Sequence, residues 1–104
     1  MITGVTIVRK DWKAENPEAF ASFMASYKES TQFVNANNAE AAKMIGNIGI
    51  VPEAVALKAL PLCQISCITG QEMKDGLTGY LEVLYNALPS SVGGALPGDD
   101  FCGL

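Results

Sequence analysis

The chain has 104 residues, 49% of them apolar, and a net charge of −4. That length and composition fit one small globular domain with a modest core and exclude a disordered chain. The seven basic residues are scattered over Arg9, Lys10, Lys13, Lys28, Lys43, Lys58 and Lys74, so no basic stripe exists for nucleic acid or an anionic membrane.

No apolar run approaches the ~20 residues that cross a bilayer. Met1 to Lys10 lacks a charged start followed by a long apolar stretch and is not expected to be a signal peptide. Histidine is absent, which removes His-based catalysis and most zinc and haem sites. No cofactor motif is present, and none is expected to be bound.

In chain order, Val5-Thr6-Ile7-Val8 is β-branched throughout and predicts one short strand, ended by Arg9-Lys10-Asp11. A lone strand is not a sheet, so its partners must lie elsewhere in this chain or in a chain outside it. Trp12 follows, placed to cover a core edge or a neighbouring domain.

Asn16-Pro17-Glu18 predicts a helix start, with Asn16 as cap and Pro17 in the first helical position. Phe20, Phe23, Met24, Tyr27 and Val34 then share one face up to about Asn35. Core is the expected role of that face and of Phe33; a ligand-lining role is the alternative.

Asn37-Asn38-Ala39-Glu40 restarts a helix through Ala41, Ala42, Met44 and Ile45, ended by Gly46 and Gly49. Pro52-Glu53 opens a third helix through Val55, Ala56, Ala59 and Leu60, stopped by Pro61. Leu62 to Ile68 alternates and predicts a short second strand.

Cys63 and Cys67 sit four apart, about 13 Å along an extended chain, too far for a disulfide unless the segment bends. With Cys102 the count is odd, so at least one thiol stays unpaired within the chain. Small buried residues are the expected role; a disulfide or metal role stays open.

Thr69-Gly70-Gln71-Glu72 predicts a capping box. Met73, Leu77, Leu81, Leu84 and Leu88 follow at helical period, with Tyr80 beside them, and the helix ends before Pro89. Gly76 and Gly79 each cost about 1 kcal/mol against Ala and are expected to permit close packing. From Pro89 the chain reads as a loop or wrapping arm, anchored by Phe101.

Gly93-Gly94 lacks the context of a phosphate loop and reads as a turn. Asp99-Asp100 lacks a third carboxylate nearby and reads as a solvated turn rather than a cation site. Glu15 and Glu18 lie at a helix start and Glu72 in a cap, so no carboxylate pair calls for acid–base work. Ser and Cys lack a base, and no Ser-x-x-Lys occurs. No enzyme activity is expected. The fold class is mostly α (α+β), with about four helices and one or two short strands.

Four runs of residues resemble, in order, the substrate-binding proteins of bacterial ABC transporters, in a group related to the nitrate, sulfonate and thiamine-precursor binders. They are Val5 through Trp12 with Glu15-Asn16-Pro17-Glu18-Ala19-Phe20; Phe33 through Asn37 with Glu40-Ala41-Ala42; Ile68 through Lys74; and Pro89 through Pro97. The resemblance spans nearly the whole chain. It departs at the close, where Phe101 is followed by Cys102-Gly103 instead of aromatics.

This resemblance implies the C-terminal part of a two-lobed, periplasmic-binding-protein type II α/β fold, with solute in the cleft between lobes. The chain corresponds to the last third, a single partial domain lacking most of the cleft. The Val5 strand would return from the second lobe to the first. Thr3 and Gly4 would lie at its cleft end as ligand contacts, Gly4 allowing close backbone approach; a plain turn before the strand is the alternative.

The implied partners are a small solute and the transporter's membrane subunits, and the implied location is extracytoplasmic, in the periplasm or lipid-anchored at the cell surface. Surfaces facing the missing lobe would be uncovered, which predicts dimerisation through apolar faces or the Val5 strand edge. A stand-alone helical protein-interaction domain is the alternative function.

Overall fold

A computed structural model of the chain describes residues 2–103. The protein is mostly helical: α1 (Lys10–Glu15), α2 (Pro17–Ala36), α3 (Asn38–Asn47), α4 (Glu53–Cys63) and α5 (Gly70–Ala87), followed by 3-10 turns at Pro89–Val92 and Asp99–Cys102. These form two compact units, one of residues Val8–Cys67 and one of residues 2–7 with 68–103.

No strand occurs among the described residues, so both strand expectations fail. Residues 2–9 run without helix or ladder, and Val5, Ile7 and Val8 stay exposed. A strand needs a partner to close its backbone hydrogen bonds, and the described chain offers none. The second expected strand is lost to helix α4, which takes Leu62 and Cys63. Pro61 removes only one donor, in the last turn, so the helix runs past it to end at Gln64 in the left-handed region, φ 48°.

Helix α1 was not expected. The Asp11 carboxylate accepts from the Trp12 N–H at 2.9 Å and pairs with the Arg9 guanidinium, which fixes a first turn where a charged bend was read. The predicted boundary at Asn16 holds, but not its cap: Asn16 makes no side-chain bond to α2. Its Nδ2 donates backwards to the Trp12 carbonyl at 3.0 Å and closes α1. Asn37 repeats the device, donating from Nδ2 to the Phe33 carbonyl at 3.1 Å. Both residues turn the chain between consecutive helices at nearly the same φ and ψ.

In the Val8–Cys67 unit, α3 packs on α4 and α2 touches both. The core is Ala41, Ala42, Ala56 and Leu60, with Val34, Ile45 and Ile65 packed around it. Small side chains let the two helices close together. Gly46 is the tightest point, since a Cβ there would lie 3.0 Å from the backbone nitrogen of Glu53. Gly46 is therefore inside α3, not its stop; the stop is Gly49 at φ 77°.

The expected core face of α2 meets the core only at Val34, with Phe20 and Met24 partly covered. Phe23, Tyr27 and Phe33 are each more than a third exposed, and no residue of α2 is buried. Phe23 and Tyr27 tilt together with ring centroids 6.0 Å apart, and the Lys13 ammonium lies 4.7 Å from the Phe20 ring centroid.

In the other unit, α5 carries the turn Pro89–Val92 folded back on its end. The Ser91 hydroxyl donates to the Leu84 carbonyl at 3.1 Å. The capping box at Thr69 does not form; Gly70 turns the chain at φ 67°, and Gln71 instead donates to Asp75 at 2.7 Å. Ile2 lies 4.0 Å from where a Gly76 Cβ would stand, an ordinary contact, and Gly79 faces open space, so neither glycine is needed for close packing.

Candidate functional site

Thr3 and Gly4 are exposed and lie outside any helix, and a Cβ on Gly4 would meet nothing within 4 Å. The segment that holds them carries apolar side chains in solvent, with Ile7 81% exposed.

The three thiols are free. The expectation of burial fails plainly at Cys63, which is exposed on the last turn of α4; Cys67 and Cys102 are half-buried. Among the described residues no group of His, Cys, Asp and Glu could hold a metal ion.

The arm beyond α5 does wrap back. Leu96, Pro97 and Phe101 line a small hollow of about 190 Å³ against Leu77 and Leu81 of α5. Lys74 reaches the Asp99 carboxylate at 3.4 Å across its edge. Asp99 and Asp100 open a 3-10 turn. The Phe101 anchor is weaker than expected, with about half its surface in solvent. Gly93 and Gly94 turn the chain at φ 80° and 89°, and their N–H groups donate to Ser90 and Pro89 carbonyls. Those donors are spent on the chain itself, so no phosphate cradle exists there.

A second concavity lies in the Val8–Cys67 unit. A notch of about 420 Å³ is bordered by Asn35, Asn38, Leu60, Pro61, Gln64 and Ile65. It arises where α2 ends, α3 begins and α4 stops. Asn35 Nδ2 donates to the Ile65 carbonyl at 2.6 Å and holds the segment after α4 against the end of α2. Asn38 Oδ1 is shut off from solvent and has no hydrogen-bond partner. Leu60, one of the four core residues, forms the apolar floor.

No family model, curated protein or solved structure matches the chain. The notch was not legible as a site in the sequence. Its signal is three carboxamides, Asn35, Asn38 and Gln64, flanking helix boundaries. Amides at helix ends ordinarily read as caps, and Asn37 does act as one. The titratable groups give little more. Asp11 has its pKa held below the usual carboxylate value, chiefly by the hydrogen bond from Arg9 and then by the Trp12 N–H, and it is a surface group.

Proposed function

We propose that the chain is the C-terminal part of a solute-binding protein serving an ABC-type uptake transporter, with most of the ligand cleft supplied by polypeptide outside these 104 residues. The observation that carries this reading is the N-terminal segment. It is β-branched and free of helix, with Val5 59% and Ile7 81% exposed, and without a ladder partner among the described residues. Such a segment fits one strand of a sheet whose other strands lie elsewhere. The four runs that resemble the transporter receptors also fall at element boundaries: the starts of α2, α3 and α5, and the arm after α5.

In this reading Thr3 and Gly4 meet the solute, and the protein works outside the cytoplasm, delivering solute to the transporter's membrane subunits. It performs no catalysis, holds no cofactor and binds no nucleic acid. Hinge closure of two lobes on the solute is its working motion. None of the helices described is long and apolar enough to cross a membrane.

The exposed aromatics of α2 favour a second reading, a helical interaction module, which could pair with its own copy through those faces or the Val5 edge. The encoding reading frame separates the two. An open frame well upstream of Met1 supports the receptor. The intact protein should then shift its melting temperature with one of a panel of sulfonates, nitrate, pyrimidines and amino acids. A frame beginning at Met1, with a stable dimer in sedimentation, supports the module and sinks the receptor.

A further inference from the structure

We infer that the bend between α3 and α4 is a lipid-docking tip, which dips Ile48, Ile50 and Val51 into the surface of a zwitterionic bilayer. The end of α3 meets the start of α4 at Gly46 and Glu53, and the start of α3 meets the end of α4 at Asn38 and Gln64. The two helices therefore run antiparallel, and residues 48–52 close one end of the pair. Gly49 reverses the chain there at φ 77°. Ile48 is 71% and Ile50 66% exposed, and Met44 and Val55, back along each helix, are more than half exposed. The chain itself leaves this apolar end in water, and the inference stands with either reading above.

Three features select lipid over a protein partner. The first is charge. From Met44 through Pro52 no residue is charged, and Lys43 and Glu53 bracket the run. Lys43 lies about 6 Å back along α3 from its last residue, within the roughly 5–10 Å depth of interfacial burial. An uncharged tip below a collar of both signs matches hydrocarbon below phosphocholine, whose phosphate suits the ammonium and whose choline suits the carboxylate. The second is the backbone. The N–H groups of Ile48, Gly49 and Ile50 donate to the carbonyls of Met44, Gly46 and Ile45 at 3.1, 3.1 and 3.2 Å, and Pro52 has no N–H. A strand-pairing partner would find few donors there, while an apolar phase accepts donors already spent at little cost. The third is size. One bend at the end of one helix pair falls short of the roughly 20–30 residues a side that a stable protein interface uses. Asn47 is the one polar side chain in the run and offsets part of the gain.

Co-sedimentation of the chain with phosphatidylcholine vesicles at millimolar lipid tests the inference. The chain is expected to bind, and no more weakly at high salt than at low. Its net charge of −4 should weaken binding to vesicles rich in phosphatidylserine at low salt. Ile48→Ser with Ile50→Ser should lower the partition coefficient at least about tenfold and leave the helical circular dichroism unchanged, because both side chains are in water in the free chain. Trp12→Phe with Ile50→Trp puts the chain's one indole at the tip. Its emission should shift to the blue on phosphatidylcholine and be quenched by lipid brominated in the acyl chains. No binding, an unchanged partition coefficient in the double serine variant, or an unquenched indole overturns the inference. A dimer in sedimentation without lipid that the double serine substitution abolishes gives the tip to a second copy and overturns it as well.

Discussion

The unit Val8–Cys67 and the unit of residues 2–7 with 68–103 differ in how they hold apolar side chains. In the first, α3 and α4 meet through alanines and one leucine, and four residues are shut off from solvent. In the second, no described residue is buried; the leucines of α5 are partly covered, Leu77 and Leu81 lying against Leu96, Pro97 and Phe101 of the arm. The first is held by close approach of backbones, which small residues permit. The second is held by a long helix and its own folded-back turn. Local hydrogen bonds of that kind add little stability without packing. The difference teaches where each unit tolerates change: the first is limited by space, the second by uncovered surface.

The largest effect should come from Leu60→Ala. Leu60 is the only large residue among the four buried ones, and truncation at such sites costs about 2–5 kcal/mol. Amide exchange should show protection lost across α3 and α4. If α5 loses protection to the same degree, the two units are one cooperative body and the contrast drawn here breaks.

Glycines sharpen the contrast. A Cβ at Gly46 would lie 3.0 Å from both the nitrogen and the Cβ of Glu53. Backbone cannot swing aside as a long side chain can, so Gly46→Ala should destabilise, by about 1–3 kcal/mol less the helix-propensity gain of about 1. Gly79 has open space, so Gly79→Ala should stabilise α5 by about 1 kcal/mol. Urea unfolding followed by circular dichroism reads both. Loss of stability at Gly79→Ala would instead reveal a surface packed closely on α5.

Four of the five helices were legible because their signals are local; α1 was not. Pro17 set the start of α2, Glu53 that of α4, and the leucine period ran the length of α5. The strands were misread for the opposite reason. β-Branching at Val5 to Val8 states a preference that only a neighbouring strand can satisfy, and no residue within this chain reports whether one is there. The aromatic face of α2 failed in the same way: spacing shows that Phe20, Phe23 and Tyr27 share a side, not that anything covers it. The notch needed three helix ends brought together, and sequence order alone does not say that Asn38 and Gln64 meet.

The arm of the second unit gives a smaller test. Ser91→Ala removes the hydroxyl that donates to the Leu84 carbonyl at 3.1 Å. The site is exposed, so the loss should be about 0.5–1 kcal/mol, confined to the end of α5. Exchange at Leu88, whose N–H also donates to Leu84, is the readout.

The smallest effect should be that of pH on α1. In the folded chain Asp11 is stabilised as a carboxylate by Arg9 and the Trp12 N–H, which lowers its pKa below the ordinary 3.8. A lowered folded pKa means that unfolded chain takes up the proton first. The contribution of Asp11 is therefore complete above pH 3.8 and falls as pH drops through the folded pKa. Carboxylate titration by NMR should place Asp11 below the ordinary aspartate value, and the Trp12 amide should lose protection over that same window. Asp11→Asn, which keeps an oxygen for the Trp12 N–H but has no carboxyl to titrate, should remove the pH dependence of that protection. Protection that declines at the same pH in Asp11→Asn would assign the acid sensitivity to another group and leave α1 held by its backbone alone.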